Sequence, residues 1–142
     1  MRPARYDFSE QTLFLTGAAG TIGRAIAQRF YASGARCVLA DRDSAALDAL
    51  VKTLDPSGAR LLALPLDVTQ SADCDRALAT ASHHFGPIHF LVTAAGLYED
   101  GAVADLSDQD WQRSCAINLD SVFYLCRAVI AHLATPSACL LY

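Results

Sequence analysis

Four short, near-continuous apolar runs alternate with segments whose apolar residues recur every three to four positions. No other feature limits the fold of the 142-residue chain as strongly. The runs lie at residues 12–16, 37–40, 60–66 and 88–93. A strand that is apolar at consecutive positions is covered on both faces, as in a parallel sheet rather than a half-wet meander. The intervening segments read as helices. The first spans 21–33, with Ile22, Ala25, Ile26 and Phe30 on one face and Gly34 as its stop. The second spans 44–54, capped by Ser44, with Ala45, Leu47, Leu50, Val51 and Leu54 inward. The third opens at Thr69 or Ser71 and ends near Phe85, before Gly86-Pro87. The last is long and begins at Ser107, where Asp110 completes a box-like cap. Its expected inner stripe is Trp111, Cys115, Leu119, Val122, Cys126, Val129 and Leu133.

The order βαβαβαβα predicts a three-layer α/β/α fold, a doubly wound parallel sheet with strands ordered 3-2-1-4. Residues 1–142 contain no linker, repeat or low-complexity segment and read as one domain. Asp plus Glu exceed Lys plus Arg by 15 to 11, which disfavours a nucleic-acid-binding face. Lys52 is the one lysine. It follows Val51 with no glycine-rich loop before it, so no P-loop is present.

Five cysteines, Cys37, Cys74, Cys115, Cys126 and Cys139, form no CxxC pair, and the polar N-terminus lacks an apolar signal core. Reduced thiols in a cytoplasmic protein are therefore expected, with no membrane span. The cysteines and the four histidines have no metal-ligand spacing. Glu99, Asp100, Asp105, Asp108 and Asp110 read as a solvated loop and helix start rather than a metal site.

Between the first strand and first helix lies Thr16-Gly17-Ala18-Ala19-Gly20-Thr21-Ile22-Gly23. Glycines there let backbone approach a pyrophosphate, and the helix start offers free N–H groups and a positive dipole end. The second strand ends at Asp41, where a carboxylate can accept hydrogen bonds from ribose hydroxyls. That carboxylate repels a 2′-phosphate and favours NAD over NADP, although Arg42 beside it could pair with such a phosphate. A flavodoxin-like or receiver domain would lack this glycine turn.

Four segments in order resemble the short-chain dehydrogenase/reductase family. Thr16 to Gly23, including Gly17, Ala19, Gly20, Thr21 and Ile22, is similar to its Thr-Gly-x-x-x-Gly-Ile-Gly turn. Asp67-Val68 resembles the pair that holds adenine. Thr93-Ala94-Ala95-Gly96 stands where the family has Asn-Asn-Ala-Gly beside the cofactor, and Asn118-Leu119 resembles the helix Asn of the catalytic tetrad. The resemblance implies a Rossmann-type fold and an NAD(P)-dependent oxidoreductase. Its substrate would be a small-molecule carbonyl or alcohol, for example in a 3-oxoacyl reductase or a sugar or polyol dehydrogenase. It also implies a homo-oligomer pairing through the 107–134 helix. Asn118 would serve a proton relay; the other reading is an inward amide that satisfies helix backbone.

The departures are specific. Thr21 replaces the middle glycine and Gly20 stands one position earlier, a Gly-x-x-Gly-x-x-Gly spacing closer to the extended branch of the superfamily. Thr93 and Ala94 fill both Asn positions. No Tyr is followed four residues on by Lys, so the Tyr-x-x-x-Lys pair is absent. The expectation is a truncated cofactor-binding half, incomplete at the C-terminus and inactive alone. The other reading is a non-catalytic dinucleotide-binding module. Residues 138–142 could begin a fifth strand. The last four, Cys-Leu-Leu-Tyr, also match a translated transposon-end adapter, so read-through is a second expectation for the tail.

Overall fold

The structure is a computed structural model that describes residues 6–135 and 139–141. Five parallel strands form one sheet ordered β3-β2-β1-β4-β5. They are β1 (Thr12–Thr16), β2 (Arg36–Asp41), β3 (Leu61–Pro65), β4 (Phe90–Thr93) and β5 (Cys139–Leu141). The first four follow the expected 3-2-1-4 order. A fifth strand follows, as residues 138–142 could supply: Phe90, Leu91 and Val92 of β4 pair with β5.

The strands fill both helical layers because consecutive residues point to opposite faces. Leu13 and Leu15 of β1, with Cys37, Leu39 and Val92, pack under α1 (Thr21–Ala32) and α2 (Ser44–Leu54). Phe14, Val38, Ala40 and Leu91 pack under α3 (Ser71–Phe85) and the last helix. Phe14, Leu13 and Leu15 are completely buried. At about 1.5–3 kcal/mol per fully buried large apolar side chain, β1 is the axis of the fold.

Helix bounds follow the sequence signals closely. The cap of α2 is Asp43, not Ser44: its carboxylate accepts from Ala46 N–H at 2.9 Å. Ser107 and Asp110 form the expected capping box on α4 (Asp108–Cys115). α3 starts after Gln70, without a side-chain cap.

The inner stripe of the last helix differs from expectation. A π turn at Ala116–Asp120 joins α4 to α5 (Ser121–Val129). The wider turn shifts the phase of the face, so Ser121, Leu125 and Val129 are buried while Trp111 and Leu119 are 66% exposed. Val122, Cys126 and Leu133 are half-buried. From Asp108 to His132 this continuous helix is long and apolar enough by length and composition to cross a membrane, its most apolar 18-residue stretch having mean hydropathy 1.3. Its packing on α3 and β4 makes it a layer of the sheet fold.

Candidate functional site

Strand register fixes where the site forms. Thr16 is level with Ala40 on one side and Thr93 on the other, so the chain leaves the sheet side by side at Gly17, just after Asp41 and at Ala94. Asp41 is level with Pro65, which brings Asp67 to the same rim. A groove opens there, at the carboxyl ends of the strands. Gly17, Ala19, Gly20, Asp41, Arg42, Asp67, Val68, Ala94, Ala95 and Gly96 all line it.

The turn is held tightly. Gly17 has φ +66°, and a Cβ there would lie 2.5 Å from the Ala94 carbonyl oxygen. Only glycine adopts this conformation without strain at so close an approach. Thr16 Oγ1 accepts from the Ala95 N–H at 3.4 Å, tying β1 to the loop after β4. The start of α1 has neither a side-chain cap nor an acidic residue in its first turn. Its first N–H groups are therefore available to an anion, with the dipole favouring one.

Asp41 is anchored at both oxygens. Oδ2 accepts from Ala19 N–H at 2.9 Å and Oδ1 from Asp43 N–H at 3.1 Å. Asp67 accepts from the Thr69 N–H at 3.0 Å and the Thr69 hydroxyl at 2.7 Å. Leu66, Val68, Leu97 and Ile117 supply the large apolar side chains of the groove lining.

Thr21 and Ile22 do not line this groove. They face an open apolar surface along α1 with Ala25, Ile26, Arg29 and Phe30, and Ile22 is 72% exposed. Asn118 sits in the π turn beside the groove rather than in its lining. Its Nδ2 donates to Leu97 O at 2.7 Å and to Ser114 Oγ at 3.1 Å, and its Oδ1 accepts from Leu97 N–H at 2.9 Å. The amide therefore satisfies the loop after β4, rather than the helix backbone, and stands against Gly96, where a Cβ would be 3.4 Å away.

Arg113 is a groove residue that sequence reasoning missed. Its guanidinium donates to Glu99 through Nε at 2.7 Å and through Nη2, and Nη2 also donates to Asp110 at 3.2 Å. Hydrogen bonds from Ser107, and less the Arg113 charge, hold the Asp110 carboxyl below the usual carboxylate range. Glu99 and Arg113 are far apart in sequence, and no periodicity links them. Among the described residues, no three His, Cys, Asp or Glu side chains converge to hold a metal.

The family model described as short chain dehydrogenase matches residues 11–139. A 2,3-dihydro-2,3-dihydroxybenzoate dehydrogenase of Bacillus subtilis is 35% identical over 116 residues, covering 82% of this chain and 44% of that protein. A short-chain dehydrogenase/reductase of Brucella melitensis superposes with TM-score 0.89 at 45% identity, over 92% of this chain and 54% of that one. One from Burkholderia phymatum, in complex with NAD, does so with TM-score 0.85 at 30% identity, over 90% and 46%. The parallel sheet, its strand order and the flanking helices are those of the Rossmann-type fold these structures share. The chain belongs to the short-chain dehydrogenase family and spans about half the length of the relatives it matches.

Proposed function

We propose that this chain is the NAD-binding half of an oxidoreductase that interconverts a carbonyl and an alcohol on a small molecule, 3-oxoacyl or polyol substrates both fitting. The observation that carries the reading is Asp41, fixed at the groove rim by the glycine turn it faces. A ribose diol donates to such a carboxylate, whereas a 2′-phosphate is repelled by it, so NAD is preferred over NADP. The pyrophosphate would meet Gly17, Ala19 and Gly20 and the uncapped start of α1, and the adenine would meet Asp67 and Val68. Gly17 keeps the turn against the loop after β4, since a Cβ there would collide with the Ala94 and Ala95 backbone. When bound, the nicotinamide supplies the hydride donor or acceptor. The chain's own residues bind and orient it: Ala94, Ala95 and Gly96 form the wall, and Asn118 fixes Leu97 beside them.

One observation favours a second reading, a dinucleotide-binding module without turnover. Lys52 lies in the last turn of α2 and no Tyr-x-x-x-Lys occurs, so this chain has no ammonium to lower a phenol pKa beside the groove. Titration with NAD+ and NADP+, followed by an NADH and NADPH assay with a ketone panel, separates the two. Turnover supports the enzyme and refutes the module, binding alone fits both because the half is expected to be inactive alone, and a folded chain that binds neither cofactor refutes both.

The outer face of the last helix carries Leu119, Phe123 and Ile130, each more than half exposed. An apolar stripe on one helix can pair with its own copy about a twofold axis, so a homodimer through this face is part of the proposal. Light scattering of the wild type against Phe123→Asp tests it. A monomeric wild type refutes it.

A further inference from the structure

We propose that Arg24 is a positioning residue for cofactor binding, acting through the backbone of Ala19 on Asp41. This rests on the dinucleotide reading above. Arg24 is the fourth residue of α1, and its Nε donates to Ala19 O at 2.7 Å. The Ala19 N–H donates to Asp41 Oδ2 at 2.9 Å, and Asp41 Oδ1 accepts from Asp43 N–H at 3.1 Å. Asp43 in turn accepts from Ala46 N–H at 2.9 Å. One line of hydrogen bonds thus runs from the first turn of α1, around the groove rim, to the cap of α2.

Ala19 is the sensitive point of that line. Its neighbours are held by backbone: Ala18 N–H donates to Ala40 O at 3.2 Å and Gly20 N–H to Gly17 O at 3.1 Å. Both polar backbone groups of Ala19 are instead held by side chains, a cation on the carbonyl and a carboxylate on the N–H. A cation near a helix N-terminus works against the helix dipole, so Arg24 gives the helix itself no electrostatic support. What it does support is the orientation of the Ala19 N–H toward Asp41. That contact presets the carboxylate for a ribose, so binding need not order it.

The test uses Arg24→Met, Arg24→Lys, Asp41→Ala and the Arg24→Met/Asp41→Ala double variant. Calorimetry gives Kd for NAD+ and ADP-ribose. Amide exchange by NMR, without cofactor, gives the protection of Ala19. Arg24→Met is expected to weaken both ligands about 3–10-fold, the equivalent of one hydrogen bond, and to speed Ala19 exchange by at least about tenfold. Arg24→Lys should recover most of the affinity, and the melting temperature should stay within about 2 °C of wild type, as for a surface substitution. On the Asp41→Ala background, Arg24→Met should cost nothing further. Unchanged Ala19 exchange, or a loss of affinity that persists without Asp41, overturns the proposal. A wild-type chain that binds neither ligand refutes the dinucleotide reading instead, and unchanged Ala19 exchange there overturns this proposal as well.

Discussion

Gly23→Ala separates helix propensity from packing. Gly23 is the third residue of α1 and is buried. Alanine in a helix interior is favoured over glycine by about 1 kcal/mol, so propensity alone predicts a more stable protein. The surroundings predict the opposite. A Cβ on Gly23 would overlap the Gly17 carbonyl oxygen and lie 2.8 Å from Gly17 C and 2.9 Å from Ala18 Cα. All three are backbone atoms, and real Cβ contacts essentially never fall below 3.0 Å. The turn has little room to retreat, because the Ala94 and Ala95 backbone lies within 2.6 Å of where a Cβ on Gly17 would stand. Overpacking at a rigid site costs roughly 1–3 kcal/mol, and here the upper end applies because backbone must move. After the propensity gain, Gly23→Ala should be about 2 kcal/mol less stable. That corresponds to a melting temperature lower by about 4–8 °C in a chain of this size. Gly20→Ala is the control, since its Cβ meets only Gly17 O, at 3.3 Å. It should stay within about 1 kcal/mol of wild type. Thermal unfolding by circular dichroism at neutral pH reads both. A Gly23→Ala chain that melts at or above wild type would refute the packing argument.

Three further outcomes follow from the same geometry. Asp41→Ala should shift the ratio of NADP+ to NAD+ affinity toward NADP+ by at least about tenfold, since an unfavourable like charge worth about 1.4 kcal/mol or more is removed. An unchanged ratio in parallel titrations would remove the basis for NAD preference. Asn118→Ala should speed hydrogen exchange at Leu97 and destabilise by about 1–2 kcal/mol, because two bonds to one backbone residue are lost; unchanged Leu97 exchange would contradict the clamp. Burial pushes the Cys37 thiol up to about 12, with Arg60 opposing weakly. Its stabilising effect is therefore complete below the unfolded thiol value near 8.5 and is lost as pH rises from there toward 12. Between pH 9 and 11, wild type should lose up to about 1.4 kcal/mol per pH unit more than Cys37→Ala, and parallel losses would contradict this.

The parts of the fold legible in the sequence are those imposed by the backbone. Consecutive apolar residues at Leu13, Phe14 and Leu15 require cover on two faces, and glycine at 17 and 23 is required where strand and helix touch. Asp41 was legible because a strand end has a fixed place in a parallel sheet. The π turn was not, since one widened turn leaves no mark in composition. Extending a regular period through 116–120 therefore placed Trp111 and Leu119 inward and missed Ser121 and Leu125. Asp43 and Ser44 are both good caps by type, and only the φ and ψ of each decides between them. Arg113 was illegible for a third reason. Its role depends on the loop after β4 folding back to bring Glu99 to α4, a long-range contact with no local signature.

On the proposed function, the rim of the sheet binds an NAD-type dinucleotide. A two-dimensional NMR titration of the folded chain with NAD+ reads this residue by residue. Saturable shifts are expected, confined to Gly17–Thr21, Asp41–Asp43, Asp67–Thr69 and Ala94–Leu97, with the outer face of α1 at Ala25 and Arg29 unmoved. A well-dispersed spectrum that does not change, or shifts centred on that outer face, would contradict it.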